Sequence, residues 1–230
     1  AEEPSTSVAL THEHGLPREC IRTEHLGSRE VWNALLLGRG QGMPMTALLR
    51  NLGKMTAVGL LAPLSEAAET VCRRLRDAEA LKRARIHPLQ VLVALNTYQS
   101  GSGVRGSLTW EPVGPVVDAL DEAFYLAFGA VEPANKRTLL ALDVSSSMDW
   151  GRIAGMTGVT PRVGSAAMAL ITAATEPEVH LCAFSHEMVP LNGITPRMRL
   201  DDVTRHLNAL PFGGTDCSLP MLYALEKGLE

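Results

Sequence analysis

The stretch that most constrains the fold is Thr138 to Met148, TLLALDVSSSM, an apolar run of strand length that ends on an aspartate with serines directly after it. Such a run reads as a buried strand of a parallel sheet, because sheets covered on both faces need near-continuous apolar strands. Ligands of these sheets gather at the carboxyl ends of the strands, where Asp143, Ser145 and Ser147 fall. The chain beyond it reads strand (137 to 143), loop, helix (about 163 to 175), strand (178 to 185), a hairpin-like segment, helix (about 200 to 210), loop and helix (about 217 to 229). Alternation of this kind predicts an α/β layer with a parallel sheet.

Upstream of VEPANK, 131 to 136, the periodicity is helical. Ser28 stands as an N-cap with Glu30 in the first turn; Val31, Trp32, Leu35 and Leu36 follow at helical spacing, and Gly38, Gly40 and Gly42 end the run. Pro44 suits a first turn, and Leu48, Leu49, Leu52 and Met55 form a stripe that leaves Arg50 and Lys54 on another face. Ser65 caps the next helix, with Glu66 in its first turn and Ala68, Val71, Cys72 and Leu75 inward. A short helix around Ala78 to Ile86 breaks at His87-Pro88, Leu89 to Tyr98 resumes, and 113 to 129 carries Val116, Leu120, Phe124 and Phe128 on one stripe. Short helices joined by tight turns suggest a stacked array, giving two domains: residues 1–135 helical and 136–230 α/β. Residues 1 to 27, with His12, His14 and His25 among polar neighbours, read as a frayed or linking segment; a His-x-His metal site there lacks further ligands.

The chain has 230 residues, enough for two modest cores, with no apolar run of membrane-spanning length and no signal-peptide order at its start, so the reading is cytosolic. Cys20, Cys72, Cys182 and Cys217 are scattered, which favours reduced thiols over disulfides or zinc. The net charge of −4 hides a basic stretch: Val31 to Trp110 holds ten Lys and Arg, including Arg39, Arg76 and Arg105, against four acids. That excess suggests a face for polyanions, with Arg50, Lys54, Arg73, Arg74, Lys82, Arg83, Arg85 and His87 as candidates; the plainer reading is cations scattered over solvated helix faces. Arg73, Arg74 and Arg76 also suit a helix carboxyl end. GSGVRG, 101 to 106, matches G-x-G-x-x-G by letter but follows a helix-like segment and precedes SLTWEP, so its context is wrong for a dinucleotide.

Asp143, Ser145 and Ser147 form D-x-S-x-S, one carboxylate and two hydroxyls from a single turn. Hard oxygen ligands with one formal charge suit a magnesium-like divalent cation that keeps waters and leaves a position for an acidic ligand. Phe212 to Ser218, FGGTDCS, can bring the Thr215 hydroxyl to the same sheet edge. The order D-x-S-x-S, two β/α steps, then GGT resembles the metal-ion-dependent adhesion site of von Willebrand factor A domains. The plainer reading is serines capping a loop while Asp143 accepts backbone N–H groups. A phosphoryl-accepting Asp143 lacks the second aspartate of D-x-D, and neither a P-loop nor a G-x-S-x-G elbow is present, so catalysis is disfavoured.

MPMTALLRNLGKMT (43 to 56), KRARIHPLQVLVALNTYQSGSGVRGSLTW (82 to 110), RTLLALDVSSSM (137 to 148), AFSHEMVP (183 to 190) and GGTDCSLPM (213 to 221) together resemble the Ro ribonucleoprotein family, the TROVE-module proteins. The resemblance implies HEAT-like helical repeats closed by a von Willebrand A domain. It also implies Y RNA on the basic outer surface, single-stranded ends of misfolded small RNAs in a central hole, no catalysis and, in bacteria, work alongside an exoribonuclease. Members of the family have a longer helical array before the point where this chain starts, and a third metal-site loop after the point where it stops. The expectation is therefore a fragment: Asp143, Ser145, Ser147 and Thr215 as the metal set, the Y RNA contacts largely upstream, and a sheet edge left open. The competing reading is a metal-dependent protein-adhesion module on a helical scaffold.

Overall fold

A computed structural model describes residues 3–38, 42–104, 106–156, 158–210 and 213–229; Arg39, Gly40, Arg105 and Phe212 lie outside the described residues. The chain divides into two compact units, one ending at Ala130 and the other starting at Val131.

The first unit is helical: α1 (Pro4–His14), α2 (Arg29–Leu37), α3 (Met45–Ala57), α4 (Glu66–Leu75), α5 (Ala78–Arg83), α6 (Pro88–Gln99) and α7 (Gly114–Leu126). Local chemistry starts the helices. Ser28 Oγ accepts the Val31 N–H at 3.3 Å, Ser65 Oγ the Ala68 N–H at 3.2 Å, and an Asp77 carboxylate oxygen the Ala80 N–H at 2.9 Å. The predicted stripes are the buried ones, with Trp32, Leu48, Met55, Leu75 and Leu120 essentially inaccessible. Each such side chain contributes about 1.5–3 kcal/mol over leaving it exposed. Tyr98 ties α6 to its surroundings. Its hydroxyl lies 2.9 Å from Thr56 Oγ1 and accepts the Val113 N–H at 3.2 Å, while its carbonyl accepts the Trp110 Nε1–H at 2.8 Å.

Residues 1 to 27 depart from the expected frayed linker. Pro4 opens α1, Gly15 closes it at φ 65°, and the helix packs on α2. Only Thr11 of α1 is buried, so no apolar stripe announces this helix. His25 is buried in a following 3₁₀ turn with its Nδ1 2.8 Å from Ser7 Oγ, which makes it a packing residue of this end.

The second unit holds β1 (Thr138–Asp143), α8 (Pro161–Thr175), β2 (Val179–Phe184), β3 (Met188–Pro190), α9 (Leu200–Asn208) and α10 (Leu219–Glu226). β1 and β2 are parallel, in register from Thr138 opposite Val179 to Asp143 opposite Phe184, with α8 packed on both as the crossover. The sheet is mixed rather than all parallel, because β3 pairs antiparallel with β2. Three residues, Ser185 to Glu187, join them, and a parallel return needs a far longer connection. Among the described residues β1 pairs with β2 alone.

Candidate metal centre and nucleic-acid interface

The D-x-S-x-S residues sit at the carboxyl end of β1. Asp143 Oδ1 accepts the Ser145 N–H at 2.7 Å, folding the chain back on itself, and Ser145 Oγ lies 2.9 Å from Ser147 Oγ. Magnesium–oxygen bonds of 2.0–2.1 Å place adjacent oxygens of an octahedron about 2.9 Å apart, so the two hydroxyls fit neighbouring positions around such an ion. Asp143 is half-buried and Ser147 exposed, which leaves the face open to a ligand. A cation bound here would supply a positive charge with open coordination positions for an acidic oxygen.

The GGT loop reaches the same end of the sheet. Phe184 lies opposite Asp143 in the ladder, and the carbonyl of the next residue, Ser185, accepts the Asp216 N–H at 2.8 Å. At position 213 a Cβ would stand 2.6 Å from His186 Nδ1, so the exposed imidazole lies directly against the glycine. Thr215 is exposed on this loop. Asp216 turns to the backbone and hydroxyl of Ser218 instead, at 2.9 and 2.6 Å, and these bonds hold its carboxyl below the usual carboxylate range. Among the described residues no three His, Cys, Asp or Glu side chains converge as a metal cluster.

The basic candidates divide between supports. Arg50 and Lys54 stand on α3, which packs on α2 and α6; Lys82 and Arg83 stand on α5 and Arg85 just after it, and α5 packs on α4 and α7. Arg50, Lys82, Arg83 and Arg85 are exposed. Arg73 is exposed too and donates to Thr70 Oγ1 at 3.4 Å. Arg74 is turned inward: its Nη2 donates to the Met43 carbonyl, and burial pushes its pKa down. His87 caps α6, its Nδ1 accepting the Leu89 N–H at 3.2 Å.

Residues 14–99 match the family described as the TROVE domain, and residues 137–230 match the one described as the Ro60 vWA domain. The chain belongs to the Ro60 family. It is 47% identical over 231 residues to the protein named RNA-binding protein RO60 of Deinococcus radiodurans, covering 100% of this chain and 42% of that one. The Caenorhabditis elegans protein of the same name is 42% identical over 223 residues, covering 97% of this chain and 33% of its own length. The fold matches the crystal structure of Deinococcus radiodurans RO (RSR) protein with a TM-score of 0.89 at 47% identity, over 99% of this chain and 45% of that one. This Ro60-family chain thus spans less than half the length of the curated relatives it matches. A helical first unit followed by a partial vWA-like unit is the architecture expected from the sequence, with the antiparallel β3 as the departure.

Sequence reasoning passed over two groups that shape the Ro60 vWA site. Arg162, on the first turn of α8, is buried and bonded to Asp149, whose carboxyl it holds below the usual range. Ser185 and His186 flank the GGT loop, with Ser185 Oγ 3.3 Å from His186 Nδ1. An arginine at a helix start, where cations are disfavoured, was the available signal for the first.

Proposed function

We propose that this chain is part of a non-catalytic, cytoplasmic Ro60-type RNA-binding protein that takes Y RNA and the single-stranded ends of misfolded non-coding RNAs in quality control. The observation carrying this reading is 47% identity along the whole chain to a protein named for RNA binding. The exposed cations Arg50, Arg73, Lys82, Arg83 and Arg85, with the half-buried Lys54 and His87, are the candidate phosphate contacts. Arg74 serves the fold first. The domain boundary is placed between residues 135 and 136, with the TROVE module before it and the vWA domain after it. Titrating the full-length protein with a single-stranded RNA oligonucleotide at rising salt tests the proposal. Affinity is expected to fall by orders of magnitude between about 50 and 200 mM if six or more phosphates are contacted; absent or salt-insensitive binding sinks it.

A second role coexists with the first, favoured by the Ser145–Ser147 spacing of 2.9 Å. Asp143, Ser145, Ser147 and Thr215 hold a divalent cation, magnesium by donor chemistry, and through it an acidic group of a protein partner such as an exoribonuclease. Asp143→Ala should abolish magnesium uptake and leave RNA affinity unchanged; loss of RNA binding in that variant would argue that the two sites are one.

A further inference from the structure

Arg162 is 3% exposed. A guanidinium this buried gives up its hydration, and an apolar side chain of similar volume would fill the space without that cost. What distinguishes Arg162 is where its hydrogen bonds go. Nη2 donates to the Val144 carbonyl at 3.3 Å, the Ser145 carbonyl at 3.1 Å and Asp149 Oδ2 at 2.8 Å, while Nε donates to Asp149 Oδ1. These acceptors bracket Ser147, two before it and one after.

Within itself the loop is a short 3₁₀ turn, Ser146–Asp149, held by the Asp143–Ser145 bond, the 2.9 Å contact of the Ser145 and Ser147 hydroxyls, the Met148 N–H on the Ser145 carbonyl at 3.1 Å and the Trp150 N–H on the Ser147 carbonyl at 3.2 Å; Arg162 is what ties that turn to α8. The same helix turn supplies a second seat, since Ile153 occupies the space a Cβ on Gly164 would need. Strand β1 fixes one end of the loop, and the start of α8 fixes the rest.

We propose that Arg162 is the positioning residue of the serine loop, holding the Ser145 and Ser147 hydroxyls at the spacing a small octahedral cation requires, with Asp149 as its counter-ion. The inference rests on the metal reading of this site. Lysine at 162 keeps the charge but is a point donor, so it loses the two-nitrogen grip on the Asp149 carboxylate that orients the donor toward the Val144 and Ser145 carbonyls. Calcium tolerates variable oxygen spacing and magnesium does not, so a relaxed loop loses its preference between them.

The test uses the full-length protein and its Arg162→Lys and Arg162→Met variants, with two measurements. Hydrogen exchange without metal reads residues 144–150, and calorimetric titration with Mg²⁺ or Ca²⁺ alone reads selectivity. In Arg162→Lys the Ser145, Met148 and Trp150 amides should exchange roughly tenfold faster while α8 and β1 stay protected. The magnesium-over-calcium preference should fall about fivefold or more. Arg162→Met, which preserves volume, should loosen the same amides, separating the hydrogen bonds from the packing. Unchanged loop exchange in both variants overturns the proposal. A loosened loop with unchanged cation preference overturns it as well, since Arg162 would then be a structural tie only. A wild-type protein that takes up neither cation overturns the metal reading instead, and the exchange measurement still decides whether Arg162 holds the loop.

Discussion

Tyr98 serves three segments with one ring and one hydroxyl, joining α3, α6 and the approach to α7. Tyr98→Phe removes the partner of Thr56 Oγ1 and leaves the Val113 N–H buried without its acceptor. The expected loss is about 1–3 kcal/mol, read by denaturant unfolding; a change within a few tenths would mean that water replaces the bond. Leu64 should show the opposite sign. It is 92% exposed and sits at φ 61°, so its side chain contributes little burial while its backbone occupies a region costly to any residue with a Cβ. Leu64→Gly is expected to stabilise the protein by about 1 kcal/mol, seen as a raised Tm. The thiols divide in the same residue-by-residue way. Burial pushes Cys182 up to about 11 and raises Cys72, whereas Cys20 and Cys217 are exposed. Brief alkylation near pH 8, followed by peptide mass mapping, should label the exposed pair and spare the buried pair.

Between elements, the clearest electrostatic tie is Arg76 on Glu122, two bonds of 2.7 and 2.8 Å linking the end of α4 to α7. The guanidinium holds the Glu122 carboxyl below its ordinary range. A lowered folded-state pKa means the pair's stabilisation is present above the unfolded glutamate value, near 4.3, and is lost as pH falls through the folded value. Both side chains are 40% or more exposed, so the contribution is under about 1 kcal/mol and weakens with salt. Glu122→Gln should flatten the acid limb of a stability–pH curve below about pH 4 without altering it at neutrality beyond that amount. The elements also show what a sequence reveals. Helices with an apolar stripe and a capping serine, those after Ser28 and Ser65, were legible because both signals are local. Helix α1 was not, since its residues are almost all exposed and its docking on α2 is tertiary. The direction of β3 was legible only through the brevity of Ser185 to Glu187. Asp143, Ser145 and Ser147 announced themselves by spacing, whereas Arg162 acts across the fold and carried no motif. Arg74 looked like its exposed neighbours until its bond to the Met43 carbonyl gave it a structural task.

Over the whole molecule the charge is partitioned. Val31 to Trp110 carries ten Lys and Arg against four acids, while Val131 to Glu230 carries eight against eleven. Up to Ala130 the helical unit as a whole carries thirteen Lys and Arg against fourteen acids, so phosphates should favour the Val31 to Trp110 stretch within it and not the unit as a body. Replacing Lys82, Arg83 and Arg85 together with Glu is expected to weaken RNA binding at low salt and to reduce the salt slope by about one for each phosphate no longer neutralised; an unchanged slope would move the interface elsewhere. The topology of the second unit also sets an order in time. The β2–β3 turn closes on the microsecond scale, but β1 joins β2 only after residues 144–178 have been drawn into a crossover, at a larger entropic cost. The serine loop lies inside that crossover. Its bonds to Arg162 span the crossover and wait for α8 to pack, so a fixed serine loop marks a chain that has finished folding.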